Sequence, residues 1–479
     1  MDLTLLTIAQ LHEGFKKKQF TSTEVTQAYL DRIEKIDSKI GAYLSVDREG
    51  ALEQALLADK IIQTHPSTSA QGKKDFPVLT GVPCSIKDAI LVKGQKATSA
   101  SKILENYEAS YDATVISRLK KQNAVILGKT NLDEFAMGAS TENSAYGVTR
   151  NPHDVSRVAG GSSGGSAASV AAHMAAYSLG SDTGGSIRLP ASFCGVVGLK
   201  STYGTVSRSG LIALASSLDQ IGPFAKTIED AKIVFEAISG KDALDATSTE
   251  YEFKEIERPL KGLKIGVPKE YFSKGLDKEV EKIINGSIEK AKEAGAKIIP
   301  ISLPSVAYAV ACYYITLTSE ASSNLARFDG IKYGLSKPGE NLLDVYVKSR
   351  GAGFGSEPKR RIMLGTYSLS SGYYDAYYKK AQQVRELIKQ DFAAAFKKVD
   401  VIFAPVSPYP AFRVGEKAAD PLAMYLVDIY TVSVNLAGIP ALSMPAGAVE
   451  KLPVGLQIIG NHFEENIILA VAGAMEKML

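Results

Sequence analysis

The chain has 479 residues, of which 45% are hydrophobic and 22% charged, and this composition is that of an ordinary globular protein. Its formal net charge of +3 is too small to predict nucleic-acid binding by this chain alone. Three widely separated cysteines argue against a disulfide framework or a zinc knuckle. The sequence also has no signal-peptide pattern and no long apolar run, so it predicts a cytoplasmic protein with no membrane contact.

The first sixty-odd residues predict helices. Thr21 and Glu24 fit a capping box, and the apolar residues that follow recur at helical spacing. A second helical stretch comes next, and the polar segment from Thr64 to Asp75 predicts a loop. We therefore predict a helical N-terminal arm over residues 1–66 and one large domain over residues 67–479.

Beyond Phe76, short apolar runs alternate with helical stretches. Such alternation is typical of an α/β fold with helices on both faces of a sheet. The predicted buried strands are Ala124–Leu127, Leu263–Val267, Val401–Ala404, Ala441–Met444 and Val454–Ile459. The helices predicted between them include Thr227–Ile238, Lys278–Ala294 and Tyr373–Phe396.

The stretch from Arg157 to Pro190 holds two glycine–serine loops, Gly160–Ser166 and Asp182–Ser186. They enclose the Ala-rich segment Ala167–Ala176, which predicts a helix. Glycine lets the backbone approach a ligand closely, and free backbone N–H groups beside a helix N-terminus favour an anion. With hydroxyl groups beside such a pocket, the sequence predicts acyl transfer, in which a serine attacks and N–H groups hold the oxyanion.

The serine that attacks needs a base to take its proton. The candidate nucleophiles are Ser162, Ser163, Ser166, Ser181 and Ser186. None of the five histidines lies in a setting that predicts a triad, and His173 falls within the predicted Ala-rich helix. Lysine is the next candidate base if burial lowers its pKa, and Lys87 stands out near the end of an apolar segment. On a generic sequence, a surface lysine paired with a carboxylate would be the favoured interpretation.

Lys87 and the two glycine–serine loops together resemble the amidase signature family. The spacings also fit, with 75 residues from Lys87 to Ser162 and 24 from Ser162 to Ser186. The resemblance covers the chain from about Thr7 to the C-terminal helix. It implies a Ser–Ser–Lys triad in which Ser186 attacks, Ser162 bridges after a cis peptide bond, and Lys87 is the base.

The same resemblance implies an oxyanion hole and a fold. The N–H groups of Thr183, Gly184, Gly185 and Ser186 match the oxyanion hole of the family. The implied fold is a single large amidase-signature domain, in which helices cover both faces of a twisted mixed β-sheet. The implied catalytic domain is residues 67–479, preceded by the helical arm.

Beyond the triad, three regions resemble the members of the family that hydrolyse glutamine within tRNA-dependent amidotransferases. These regions are Ser319–Gly330, Lys359–Thr366 with Ser371–Tyr378, and Asp428–Thr431 with Asn435–Gly438. The resemblance places Tyr313, Arg361 and Asp428 around the amino-acid end of glutamine. A guanidinium suits an α-carboxylate, and a carboxylate suits an α-ammonium. Taken singly, each residue is better explained without a substrate: Tyr313 as a core aromatic, Arg361 as a member of a basic surface triplet and Asp428 as a helix-capping or surface carboxylate. The three together, in an otherwise matching chain, favour the binding role.

The resemblance also implies partners. Ammonia passes to a B subunit, which uses ATP and Mg²⁺ to activate glutamate on a misacylated tRNA. The tRNA is bound mainly through this B subunit, and a small C subunit completes a heterotrimer. This chain is expected to hold no cofactor and no metal of its own. Two alternatives stay open: a stand-alone amidase acting on another amide, and a catalytically dead scaffold, against which the intact Lys87, Ser162 and Ser186 argue. Whether aspartyl-tRNA(Asn) is a second target stays open as well.

Overall fold

A computed structural model of the protein describes residues 1–64, 75–272, 275–417 and 420–479. The loop predicted from Thr64 to Asp75 lies almost entirely outside the described residues, and so does the predicted boundary between residues 66 and 67. None of the helices in these ranges combines the length and the apolar character that a membrane span requires.

A large mixed sheet forms the centre of the molecule. The strands are β1 (Tyr43–Val46), β2 (Pro83–Lys87), β3 (Val125–Thr130), β4 (Arg150–Asn151), β5 (Asp154–Val158), β6 (Tyr177–Asp182), β7 (Val197–Lys200), β8 (Gln220–Ala225), β9 (Lys264–Pro268), β10 (Lys297–Ile301), β11 (Val401–Pro405), β12 (Ala441–Val449) and β13 (Leu452–Ile459). Within the described residues, the main sheet has eleven strands in the order β1-β3-β2-β6-β8-β7-β12-β13-β11-β9-β10. β4 and β5 form a separate ribbon.

Both parallel and antiparallel pairs occur in the main sheet. β2 is parallel to β3 and β6, and β9 is parallel to β10 and β11, whereas the pairs between β6 and β11 are antiparallel. All five predicted strands are present, and the largest extension is that of β12 to Val449. The prediction of a mixed sheet is therefore confirmed.

Helices surround this sheet. They are α1 (Ile8–Lys16), α2 (Ser22–Ile40), α3 (Arg48–Thr64), α4 (Thr114–Lys121), α5 (Gly164–Ala171), α6 (Arg188–Cys194), α7 (Ile228–Ile238), α8 (Lys278–Glu293), α9 (Ala309–Asn324), α10 (Leu342–Gly353), α11 (Ser356–Leu369), α12 (Lys380–Phe396), α13 (Pro421–Tyr425), α14 (Val432–Ala437) and α15 (Glu465–Glu476). The three helices predicted beyond Phe76 correspond to α7, α8 and α12, and a π-helical turn, Asp375–Lys379, leads into α12.

The hydrophobic core lies on both faces of the sheet. In β11, Val401 and Phe403 join one buried cluster, whereas Ile402 and Ala404 join the other. Side chains alternate between the faces of a strand, so the two clusters cover opposite faces. The α/β arrangement with helices on both sides is confirmed.

The N-terminal helices pack against this same core. Thr21 Oγ1 accepts the N–H of Glu24 at 3.1 Å and Glu24 Oε2 accepts the N–H of Thr21 at 2.7 Å, so the predicted capping box is present. Phe15 and Tyr29 belong to the cluster that also contains Phe403. β1 follows α2 and pairs with β3, which attaches this region to the edge of the sheet.

The helix predicted over Ala167–Ala176 differs in its bounds. α5 begins three residues earlier, at Gly164, and ends at Ala171. His173 has a φ of +58°, and the N–H of Met174 bonds to Ser169 O at 2.7 Å, so the chain turns there into β6. The placement of His173 within the helix was therefore wrong, because an Ala-rich composition favours helix but does not encode this turn.

Candidate active site

Lys87 lies at the carboxyl end of a central strand. It is the last residue of β2, and the neighbouring parallel strand β6 ends at Asp182, directly before the loop Asp182–Ser186. Ligands of open α/β sheets bind outside the carboxyl ends of parallel strands. The topology therefore brings Lys87 and the second glycine–serine loop to the same edge.

The Lys87 side chain is fully buried among hydroxyl groups. Its Nζ lies 2.8 Å from Ser162 Oγ, 2.8 Å from Ser163 Oγ and 2.9 Å from Ser181 Oγ. Ser163 Oγ donates its own proton to Ser181 O at 2.9 Å, so it can only accept from Lys87. A neutral amine has two N–H bonds and one lone pair. It can donate to Ser163 and Ser181 while its lone pair faces the hydroxyl proton of Ser162.

Ser162 sits in a tightly enclosed loop. The peptide bond between Gly161 and Ser162 is cis, and Ser162 O accepts the N–H of Asp133 at 3.2 Å. A Cβ atom at Gly161 would lie 2.2 Å from Asp133 Oδ2 and 2.6 Å from Ser140 N. Only glycine leaves room for this close approach.

The loop that carries Ser186 is shaped by Asp182. The Asp182 carboxylate accepts the N–H of Gly185 at 2.9 Å and that of Ile187 at 3.1 Å. Burial would raise the pKa of Asp182, but its ion pair with Arg188 at 3.0 Å lowers that pKa to about 2. A permanently charged acceptor therefore holds the backbone of this loop in place.

Three of the four predicted oxyanion donors are free. The N–H groups of Thr183, Gly184 and Ser186 have no acceptor among the described residues, whereas that of Gly185 is bonded to Asp182. The Ser186 hydroxyl likewise makes no hydrogen bond to any described residue, and Ser186 is 7% exposed. Free donors beside a free hydroxyl leave this loop open to a reacting carbonyl group.

Tyr313 and Asp428 flank the same loop. A Cβ atom at Gly184 would lie 2.4 Å from the Tyr313 hydroxyl, and one at Gly185 would lie 3.2 Å from Asp428 Oδ1. Neither the Tyr313 hydroxyl nor the Asp428 carboxylate has a hydrogen-bond partner among the described residues. Two polar groups therefore face the space beside the loop with their bonding capacity unused.

Arg361 completes this group from helix α11. It is 3% exposed, and its Nε donates to Glu357 Oε1 at 2.8 Å. Its two Nη groups have no partner in the part of the chain that the structure describes. Burial strongly raises the pKa of Asp428. The charge of Asp182 raises this pKa further, whereas the charge of Arg361 lowers it, so the Arg361 guanidinium lies close enough to Asp428 to affect its ionisation.

Comparison with known proteins agrees with this geometry. The family model described as Amidase matches residues 24–469. This chain belongs to the amidase signature family. It is 56% identical to the A subunit of Glutamyl-tRNA(Gln) amidotransferase of Caldanaerobacter subterraneus, over all of this chain and 97% of that protein. The same subunit of Koribacter versatilis is also 56% identical, over all of this chain and 99% of that protein.

A solved structure gives the same match. The crystal structure of the A subunit of Glutamyl-tRNA(Gln) amidotransferase from Thermotoga maritima has 42% sequence identity and a TM-score of 0.81. The match covers all of this chain and 95% of that chain. The family and the fold predicted from the sequence are therefore confirmed.

The pKa of Lys87 suits a base in this amidase. Burial lowers the pKa of Lys87 to about 7, although the carboxylates of Asp133, Asp182 and Asp219 act to raise it. Near neutral pH a large fraction of the amine is therefore unprotonated. A general base works best when its pKa lies near the operating pH.

We expect kcat for amide hydrolysis to fall as pH drops below about 7, because protonation of Lys87 fills the lone pair that faces Ser162. Below that pKa, kcat should decrease by about tenfold per pH unit. Initial rates at saturating substrate from pH 5.5 to 8.5 measure this limb, and circular dichroism checks that the fold persists. A flat profile down to pH 5.5 would contradict the assignment of Lys87.

An Asp133→Asn variant tests which group produces this limb. Removing the carboxylate that most strongly raises the pKa of Lys87 should move the limb to lower pH. The Asp133 carboxylate accepts two backbone N–H groups, from Thr141 and Asn143, so the thermal stability of the variant must be measured in parallel. A limb that stays in place would assign the titration to another group.

Some residues of the site escaped the sequence analysis. Asp133, Asp219 and Glu357 are buried and touch the groups discussed above. Asp133 follows the end of β3, the strand that pairs with β2. Its place just after a buried strand was the signal that could have identified it as a site residue. The described ranges contain no group of three or more His, Cys, Asp or Glu side chains placed to hold a metal ion.

Proposed function

We propose that this amidase is the A subunit of a glutamyl-tRNA(Gln) amidotransferase, which hydrolyses glutamine and supplies ammonia for converting Glu-tRNA(Gln) to Gln-tRNA(Gln). Relatives at 52–56% identity over nearly the whole chain carry that name. The observation that carries the proposal is the set of unpartnered polar groups on Tyr313, Arg361 and Asp428 beside the Ser186 loop.

The amino-acid end of glutamine fits these groups chemically. Two parallel N–H bonds from the Arg361 Nη groups bind the α-carboxylate, and the Asp428 carboxylate binds the α-ammonium. Burial raises the pKa of Asp428, and a bound ammonium group stabilises its ionised form. The Tyr313 hydroxyl beside Gly184 adds a polar contact at the loop.

Acylation begins at Ser186. As its oxygen bonds to the side-chain amide carbon, its proton passes to Ser162, whose own proton moves to Lys87 across 2.8 Å. The N–H groups of Thr183, Gly184 and Ser186 hold the oxyanion, and one such donor lowers the barrier by about 3 kcal/mol. The C–N bond then breaks, and the proton returns through Ser162 to the departing ammonia.

Deacylation uses the same groups in the same order. Water attacks the glutamyl ester and gives its proton to Lys87 through Ser162, and the oxyanion forms again at the same N–H groups. The C–O bond to Ser186 breaks, Ser186 recovers its proton and glutamate leaves. Lys87 acts alternately as base and acid, which a pKa near 7 allows in both directions.

The proposal includes the partners of the complex. The B subunit uses ATP and Mg²⁺ to activate the glutamate on tRNA and binds most of that tRNA, and the C subunit completes the heterotrimer. The small net charge of +3 agrees with a chain that leaves tRNA binding mainly to its partner. The hydrolysis derived above needs no cofactor on this chain.

Ammonia release separates this function from its alternatives. The chain is assayed with glutamine alone, and then with the B and C subunits, ATP and misacylated tRNA. We expect the rate to rise by about tenfold or more in the complex, a typical coupling between sites. Equal turnover of a simple amide such as propionamide, with or without the partners, would instead indicate a stand-alone amidase. No ammonia under any condition would indicate a scaffold.

A further inference from the structure

Arg361 lies in an enclosure built from three helices, α9, α11 and α13. Glu357 precedes it by one turn on α11, and Glu357 Oε1 accepts Arg361 Nε at 2.8 Å. The same oxygen accepts the hydroxyl proton of Tyr425, on α13, at 3.0 Å. Glu357 is 6% exposed. One buried carboxylate oxygen therefore ties the guanidinium to a tyrosine on a distant segment.

Two stacked aromatic rings form the rest of the enclosure. The ring centroids of Tyr314 and Tyr425 are 3.9 Å apart, and the rings are inclined by 22°. The Cζ of Arg361 lies 5.3 Å from the Tyr314 centroid and 5.5 Å from the Tyr425 centroid. Cations are attracted to aromatic rings at these distances. The rings and Glu357 together restrict the directions in which the guanidinium can point.

Glu357 occupies only one of the N–H groups of Arg361. A guanidinium has five N–H groups, and the one on Nε is bonded to Glu357. The four on the Nη atoms have no acceptor among the described residues. We propose that Glu357 and Tyr425 are positioning residues that aim these Nη groups at the α-carboxylate of glutamine and make the site selective for amides that carry it. This inference rests on the proposed function.

Glu357 also keeps Arg361 from pairing with Asp428. Burial favours the protonated form of Asp428, but an untethered guanidinium would favour the ionised form and would be drawn to it. That contact would occupy both the guanidinium needed to bind the α-carboxylate and the carboxylate needed to bind the α-ammonium. With its charge balanced by Glu357, Arg361 leaves Asp428 free for the substrate.

The inference predicts a change in KM with little change in kcat. Glu357→Gln keeps the size of the side chain and removes its charge, and Tyr425→Phe removes only the hydroxyl group. In the complex with the B and C subunits, we expect KM for glutamine to rise by about tenfold in Glu357→Gln and by about threefold in Tyr425→Phe. The reacting amide lies at Ser186, away from these residues, so kcat should stay within about twofold.

A ligand without the α-carboxylate provides the matched comparison. 4-Aminobutanamide is glutamine with that group replaced by hydrogen, and its inhibition constant should be the same in wild type and Glu357→Gln. The inhibition constant of L-glutamate, which has the carboxylate, should rise in parallel with KM. A variant damaged in its overall structure would bind both ligands less tightly and would show a lower kcat.

Arg360→Ala is the matched control. Arg360 also pairs with Glu357, but its side chain is 44% exposed, and exposed ion pairs contribute little. Its KM for glutamine should stay within about twofold of wild type. An unchanged KM in an active Glu357→Gln variant, or an equal rise in Arg360→Ala, would overturn the inference alone. A wild-type complex that releases no ammonia from glutamine would overturn the proposed function and the inference with it.

Discussion

The Ser186→Ala variant is expected to lose about six orders of magnitude in kcat for glutamine hydrolysis, as nucleophile removal does in a serine protease. Without the hydroxyl group no acyl-enzyme forms, although Lys87 and Ser162 stay 2.8 Å apart. Glutamine binding should persist, because the three groups proposed to hold its amino-acid end remain. Ammonia release measures the loss, and calorimetry measures the binding that remains.

Ser166→Ala is the matched control for this prediction. Ser166 was an equal candidate for the nucleophile by composition, but its hydroxyl bonds to Thr130 at 2.7 Å and to Leu179 O at 3.1 Å, away from Lys87. Its kcat should stay within about threefold of wild type, while the loss of two buried hydrogen bonds lowers stability by about 2 kcal/mol. A larger loss of activity in Ser166→Ala than in Ser186→Ala would reverse the assignment.

The elements that the sequence predicted well are encoded locally. The capping box at Thr21 needs only two side chains three residues apart, and the strand at Val401 needs only a short apolar run. The bounds of α5 depend instead on tertiary contacts. The Ala-rich segment continues to Ala176, but β6 must pair with β2 and β8, and the chain turns at His173 to reach them.

The site was predictable where a motif matches a known family and unpredictable where a role depends on packing. Lys87 and Ser162 are 75 residues apart, so hydrophobic periodicity could not predict that they are in contact. The resemblance to the amidase signature family predicted this contact. Ser163 and Ser181 were noted only as possible nucleophiles, yet both contact Lys87. Glu357 gave no signal, because an acidic residue one turn before an arginine is common on exposed helices.

The Lys87→Met variant is expected to lower kcat by about 10⁴-fold, the upper range for removal of a general base. Methionine matches the length of lysine and fills the same space, but it cannot take the proton of Ser162. The remaining activity should no longer fall as pH drops below about 7, because the titrating amine is gone. Rates above about one tenth of wild type would exclude Lys87 as the base.

The same variant should also change how stability depends on pH. The pKa of Lys87 is about 7 in the folded protein but near 10.5 when unfolded, so between these values the unfolded wild-type chain binds one more proton. The free energy of unfolding of wild type therefore falls, relative to that of Lys87→Met, by about 1 kcal/mol for each pH unit between pH 10 and pH 7. Below the folded pKa the difference is constant.

Denaturant unfolding of both proteins at pH 7, 8, 9 and 10 measures this difference directly. A gap between wild type and Lys87→Met that does not change with pH would mean that the amine stays protonated in the fold, and a protonated amine cannot accept the proton of Ser162. A gap that changes as expected would mean that the wild-type protein gives up stability at neutral pH to keep a buried amine unprotonated, the form that the proposed activation of the two serines requires.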